Sequence, residues 1–392
     1  MRISHAGVLL AAVFAAACSN DVTAPSNNTQ MSPTASAYLK EALDFEQEVF
    51  LYGSKINWTT MRADVTAKAG TAQKPKDTYA AIHYSISQYF LPLGDRHSAF
   101  FEPSDAPGRV DSPSDNPLYL VQGQPLGNIA YLYVPTFAGI NAKGRADTTL
   151  AMIQSLDTNA PCGWILDLRN NPGGTWASML SGINPLIGNG QFAGLVDNTN
   201  AQAYFYVNNG EAGIYDPGTR QNYPQVTSSS TYQLKKPNSP VAILQGPLTA
   251  SAGELITLGF KGGPVPVRTF GTNTYGVTTV PAGEYLPPDS AYLNITAAVM
   301  FDRSGKVYGD VIAPDQVIPS DTTQVNHPGT LDLSMNAAIT WLKSRVECGG
   351  TVSTDRSALP GMQRNTFQQS AAPRTKPLNV SPYFGPYRRG TL

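Results

Sequence analysis

Three separated stretches of this chain carry residues whose types and spacing suit acyl-transfer chemistry. The first contains Ser251, in Thr249-Ala250-Ser251-Ala252-Gly253-Glu254, after the apolar run 241–244 and the turn Gln245-Gly246-Pro247-Leu248. Small neighbours let a carbonyl group approach the hydroxyl. A helix starting at Ala252 would also aim unpaired N–H groups and its positive dipole end at a developing oxyanion. The same pattern equally serves a plain helix cap, with Thr249 or Ser251 closing the first turn.

The second stretch is Leu166-Asp167-Leu168-Arg169-Asn170-Asn171-Pro172-Gly173-Gly174, an apolar strand running into a polar loop that ends in two glycines. Paired glycines let backbone amides face a substrate where side chains would block them, although a simple strand-to-helix turn has the same composition. The third is His97, in Leu93-Gly94-Asp95-Arg96-His97-Ser98, one of four histidines with His5, His83 and His327. A serine nucleophile needs a base, and an imidazole with a pKa of about 6.5 suits neutral pH. His83 falls within a helical pattern and reads as packing or surface. His97 sits in a loop beside Asp95 and Ser98, either of which could orient it, and a loop histidine can also be simply exposed.

The elements that must position these groups follow from periodicity. Apolar residues recur at three-, four- and seven-residue spacings from Leu39 to Phe90, which predicts a small helical N-terminal region. From residue 118 short β-type runs alternate with helical ones: strands over 129–134, 164–168, 203–207, 241–244 and 265–270, and helices over 148–156, 179–187 and 252–260. Alternation of this kind predicts an α/β layered fold. A helix over 334–346 closes the globular part, and the rest, rich in Ser, Pro, Arg and Gln, reads as irregular.

Composition narrows the function further. With 392 residues, 41% hydrophobic and 14% charged, and a formal net charge of −1, the chain can bury a core but has no basic surface for nucleic acid. No paired histidine spacing or cysteine cluster marks a metal site, and no cofactor motif appears. Residues 1–17 read as a signal peptide: Arg2 precedes an apolar run, 7–17, too short to span a bilayer. The run ends in Ala15-Ala16-Ala17-Cys18, similar to a bacterial lipobox, which would make Cys18 the lipidated first residue of an envelope protein held to the membrane by that anchor. Ordinary secretion after cleavage is the alternative, with Cys18 as a buried residue a third. Residues 18–36 are rich in Ser, Thr, Asn and Pro and read as a flexible tether. In an exported protein the two remaining cysteines, Cys162 and Cys348, suit a disulfide, against the alternative of two separate buried thiols.

Taken in order, these motifs resemble the C-terminal processing and tricorn-type serine peptidases, which share a crotonase-like ββα-superhelix core and hydrolyse peptide bonds. The matching pieces are Asp95 to Ser98, Gly127-Asn128-Ile129-Ala130-Tyr131, the Asp167 to Gly174 loop, Thr249 to Glu254, Thr274-Tyr275-Gly276 and, near the end, Gly305-Lys306 and Pro314-Asp315. The resemblance implies Ser251 as nucleophile, with an oxyanion hole from the N–H groups of Ala252 and of Gly173 or Gly174. It makes Asp167 and Arg169 structural and gives Glu254 a supporting place. Members with a Ser-Lys dyad carry a lysine directly after a Thr-Phe-Gly-type element. Here Val277 follows Thr274-Tyr275-Gly276, Thr272 follows Thr269-Phe270-Gly271, and Lys261 and Lys306 lie elsewhere. Tricorn-type members draw a histidine from upstream, which His97 matches, and a late acidic residue, for which Asp310 is the candidate if it is not a surface turn. The span between Ser98 and Gly127 is too short for the PDZ domain many members carry. The expected organisation is a helical region over 37–112, a peptidase core over 113–347 and a tail over 348–392. The expected partner is a peptide or protein substrate. The rival readings are a catalytically silent module of the same fold that binds a peptide or apolar ligand, and a hydrolase of non-peptide esters or amides.

Overall fold

The computed structural model describes residues 30–106, 119–137, 139–319 and 332–351. Cys18, His5, His327 and most of the C-terminal tail lie outside them. The chain opens with three helices, α1 (Pro33–Val49), α2 (Trp58–Ala69) and α3 (Tyr79–Ser85). Ser32 caps α1 by accepting from Ala35 N at 3.1 Å, and Asn57 caps α2 by accepting from Thr60 N at 3.1 Å. After α3 the chain enters a π turn at Ile86–Phe90 and a short 3₁₀ turn, which deliver the loop holding His97.

Two sheets follow. The first is antiparallel, with strands in the order β1 (Ala99–Phe101), β12 (Ala291–Asp302), β5 (Gly190–Asp197), β6 (Gln202–Asn208), β7 (Glu211–Asp216) and β8 (Gln221–Thr227). β11 (Thr279–Leu286) pairs with the long β12 as a hairpin. The second sheet runs β13 (Gln316–Val317), β10 (Val267–Gly271), β9 (Val241–Gln245), β4 (Gly163–Asp167), β3 (Ile129–Tyr133) and β2 (Gln122–Leu126). It is parallel except for the β2–β3 pair. Helices α4 (Ala142–Asp157), α5 (Trp176–Gly182), α6 (Asn184–Ile187) and α7 (Ala252–Phe260) connect the strands, and α8 (Leu333–Lys343) comes last.

Side chains alternate across each strand, and the alternation sorts them into three cores. In the parallel sheet Ala130, Leu132, Trp164, Leu166, Val241 and Ile243 face inward, where they meet α5, α7 and the antiparallel sheet. Ile129, Tyr131, Tyr133, Ile165, Ala242 and Leu244 point the other way and are covered by Met335, Ala338 and Leu342 of α8. β12 divides similarly, with Leu293, Ile295 and Ala297 facing α1 to α3 while Ala298 and Met300 face the central core. A disulfide joins Cys162, just before β4, to Cys348 beyond α8, with Cα atoms 5.0 Å apart. It fastens the covering helix to the sheet it protects.

The expected α/β, crotonase-like architecture with a small helical N-terminal region is what the chain adopts. Periodicity missed much of the antiparallel sheet. β7, β8, β11 and β12 mix polar and apolar residues on strands packed on one or both faces, so they lack the continuous apolar run that marks β4 and β9. The helix expected over 179–187 is two, α5 and α6, with Pro185 in the first turn of the second.

Candidate active site

Ser251 sits at the junction of β9 and α7, as the N-cap of that helix, with φ +49° and ψ −112°. Positive φ is costly for a residue with a Cβ, so the surroundings must hold it there. Much of that hold comes from Glu254, one turn on and fully buried. Its carboxylate accepts four hydrogen bonds: from Ser251 N at 2.9 Å, Thr274 Oγ1 at 2.5 Å, Gly276 N at 2.9 Å and Val277 N at 3.0 Å. Burial pushes its pKa up, opposed by those bonds, which favour the charged form. Thr249 adds a further tie, donating to Leu168 O at 2.8 Å.

The glycine loop packs against this turn. Ala250 N donates to Asn171 O at 3.0 Å, and Asn171 reaches back with its amide to Val134 O at 3.0 Å and Pro135 O at 3.1 Å. Gly173 has φ +108°, and a Cβ there would lie 2.8 Å from Ser251 Cβ and 3.1 Å from Ala252 N. Only glycine lets the loop approach the serine this closely. The two glycines differ in one respect that bears on the oxyanion hole. Gly173 N already donates to Asn171 Oδ1 at 2.9 Å, whereas the N–H groups of Gly174 and Ala252 donate to no partner among the described residues.

Asp167 and Arg169 brace the loop from below, as expected of structural residues. Arg169 is fully buried, 2.6 Å from Asp167 Oδ2 and 2.9 Å from Asp332 Oδ2. Tyr131 also donates to Asp167 at 2.9 Å, and Asp332 caps α8 through Met335 N at 2.9 Å. The strand end, the glycine loop and the covering helix thus share one ionic network, and removing either partner of a buried pair is strongly destabilising.

His97 arrives from the other sheet. Asp95, itself buried, accepts from His97 N at 3.0 Å and from Thr296 Oγ1 at 2.6 Å, and Asn294 donates to His97 O at 2.9 Å. The ring makes one side-chain hydrogen bond among the described residues, Nδ1 to Thr279 Oγ1 at 2.8 Å, and Nε2 bonds no side chain among them. Burial pushes the imidazole down to about 4, against the nearby Asp95 charge and the Thr279 backbone, both of which raise it, so His97 is neutral at pH 7. The ring and the Ser251 hydroxyl are not hydrogen-bonded to each other, a common state of unliganded sites.

A continuous set of contacts nevertheless joins the two. Arg96 lies 5.4 Å from the Tyr275 ring and donates to Gly276 O at 3.3 Å, while Gly276 N binds Glu254. Asp310, the candidate organiser of the base, does something else. It pairs with Arg96 at 3.5 Å on an exposed edge, and Thr279 takes the place beside Nδ1. His83 is exposed, with its ring 5.2 Å from that of Phe100. Among the described residues, no group of three or more His, Cys, Asp or Glu side chains is placed to hold a metal ion.

Residues 128–318, from β3 to the end of β13, match Peptidase family S41. The chain carries a Peptidase family S41 domain. The S41 domain therefore contains the serine turn, the glycine loop and Thr279, while His97 and helices α1 to α3 lie upstream of it. The chain is 27% identical over 316 residues to the nisin-resistance protein of Lactococcus lactis subsp. lactis, covering 80% of this chain and 89% of that one. Among solved structures it resembles a lipoprotein from Streptococcus agalactiae, with TM-score 0.61 and 21% identity over 80% of this chain and 98% of that one. It also resembles the photosystem II D1 C-terminal processing protease, with TM-score 0.51 and 15% identity over 74% and 94% of the two chains. At these identities the two structural likenesses are likenesses of fold.

Sequence reasoning missed Thr279, the Thr274 to Val277 donors on Glu254, and Asn171 as the tie between loops. Thr279 carries no local signal, because a threonine opening a strand is ordinary. The Glu254 cradle was within reach: a buried carboxylate one turn into an apolar helix needs donors, and a glycine-containing turn can supply them.

Proposed function

We propose that this protein is an exported serine peptidase whose nucleophile is Ser251 and whose general base is His97. His97 Nε2 takes the Ser251 proton as the hydroxyl oxygen attacks the scissile carbonyl. The N–H groups of Ala252 and Gly174 stabilise the tetrahedral oxyanion, and His97 returns the proton to the leaving amine. Water then hydrolyses the acyl-enzyme. The observation that carries this reading is the serine's strained backbone, φ +49° at a helix start, locked by Glu254 and pressed against Gly173, next to two N–H groups without partners among the described residues. The Glu254 bond to Ser251 N is that of an ordinary capping box, but a plain cap needs neither the positive φ nor the packed glycine loop, since N-cap residues normally sit in the extended region.

The substrate in this proposal is a peptide, and the name of the Lactococcus relative makes nisin a first candidate to test. Residues 1–17 direct export, and lipid on Cys18 holds the protein to the cell envelope through the tether 18–36. No helix among the described residues is long and apolar enough to cross a membrane. The core extends over 113–347 behind a helical region, 37–112, that contributes His97. The test is peptide cleavage by purified protein lacking residues 1–17. Ser251→Ala and His97→Ala should each lower kcat by about 10³-fold or more. Full activity in Ser251→Ala would remove the assignment.

A further inference from the structure

We propose that Thr279 is the positioning residue for His97, accepting the Nδ1–H proton so that the Nε2 lone pair faces Ser251. The inference rests on the Ser251–His97 reading and supplies the member of the catalytic set that Asp310 does not. The geometry is specific. Thr279 is buried at the first position of β11, its Oγ1 stands 2.8 Å from Nδ1, and no other side chain among the described residues bonds the ring. Of the other groups in the loop, Asp95 Oδ1 holds the backbone N–H groups of His97 and Ser98 and the Thr296 hydroxyl, its buried Oδ2 makes no hydrogen bond to the ring or to any other described residue, and Arg96 is turned to Tyr275 and Asp310.

Thr279 also closes a segment that reaches both reacting side chains. Thr274, Gly276 and Val277 hold Glu254, which holds Ser251 N; two residues later Thr279 holds the ring. Between them Thr278 Oγ1 donates to Asp310 O at 2.8 Å and accepts from Gly309 N at 2.7 Å, anchoring the segment. Residues 274–279 therefore set the nucleophile and the base in one frame.

The proton inventory is simple. In the resting state Nδ1 carries the proton and donates it to Thr279 Oγ1. When Nε2 accepts the Ser251 proton, the ring becomes imidazolium with both nitrogens protonated, and Nε2 then gives its proton to the leaving amine while Nδ1 keeps its own. A hydroxyl in this position fixes the ring's orientation and accepts from Nδ1–H in the proposed tautomer, without supplying a negative charge to stabilise imidazolium. The low pKa of the ring agrees with that, with Asp95 the one charged group that raises it.

The experiment compares Thr279→Val, which keeps the shape, with Thr279→Ser, which keeps the hydroxyl. Thr279→Val should lower kcat by about 10- to 100-fold with KM changed less than about twofold, and Thr279→Ser should restore most of the loss. In parallel, ¹⁵N NMR of the His97 ring should show Nδ1–H in the parent and a mixture of tautomers in Thr279→Val. Parental kcat together with an unchanged ring signature in Thr279→Val would overturn the proposal, as would Nε2–H in the parent. If the parent cleaves no peptide, the catalytic reading fails on its own, and the NMR comparison still decides whether Thr279 sets the His97 tautomer.

Discussion

Replacing Glu254 by glutamine tests how the serine turn is held. Each carboxylate oxygen accepts twice: Oε1 from Thr274 Oγ1 and Gly276 N, Oε2 from Ser251 N and Val277 N. Glutamine keeps the shape but turns one acceptor into a donor, so in either amide orientation two of the four bonds become donor-to-donor contacts. With the amide nitrogen on the Thr274 side, the threonine hydroxyl can reverse its role, and one buried N–H is left unpaired. On the other side both Ser251 N and Val277 N are left. A buried unpaired donor costs about 1–3 kcal/mol, and the amide takes the less costly orientation, so the substitution should destabilise the protein by about 1–3 kcal/mol. The second effect is local. A non-glycine residue at positive φ stores about 1–3 kcal/mol of strain, and weakening its tether lets Ser251 relax away from the attacking geometry. Urea unfolding should give the stability loss, and kcat measured well below the unfolding midpoint should fall at least about tenfold. If Glu254→Gln keeps both the parental midpoint and the parental kcat, Glu254 does not hold Ser251.

Two further outcomes follow from the same structure. The acid limb of kcat/KM should fall at about 4, the value to which burial lowers His97, instead of near the ordinary 6.5. The base is neutral above its folded-state pKa, so activity should be nearly full at pH 5.5; a pH-rate profile with its midpoint near 6.5 would contradict the burial argument. Cys162→Ser should lower stability by about 2–5 kcal/mol, because the 186-residue separation makes a large loop that the cross-link closes. The check is the urea midpoint of the variant beside that of the parent, with peptide mapping of the parent showing the Cys162–Cys348 link.

Much of the site is legible in the sequence where chemistry depends on local backbone. The Gly-Gly loop and the serine turn announce themselves because glycine and small residues are needed at fixed offsets from an apolar strand, and the structure brings Gly173 against Ser251. β4 and β9 are legible for a related reason: strands buried on both faces are continuous apolar runs. The base's surroundings are not legible in that way. Thr279, Asn294 and Thr296 reach the His97 loop only through the pairing of β1, β11 and β12, and no local pattern marks a long-range register. The same blindness made Asp310 a candidate. Its position in the chain suited an acidic partner, but the folded loop turns it towards Arg96.

The separation of the His97 loop from its anchors also bears on how the protein is made. Thr279 lies 182 residues after His97, Asn294 lies 197 after it, and Thr296 lies 201 after Asp95. At about 5–20 residues per second, roughly 10–40 s of synthesis pass between the base's emergence and that of its last anchor. Ser251 appears within that interval, on a turn whose Glu254 donors at 274–277 have yet to follow. A ribosome-bound chain, or a fragment ending before residue 279, therefore holds both reacting side chains without the frame that aligns them. In the proposed mechanism the alignment of nucleophile and base therefore waits for the β11–β12 hairpin to close.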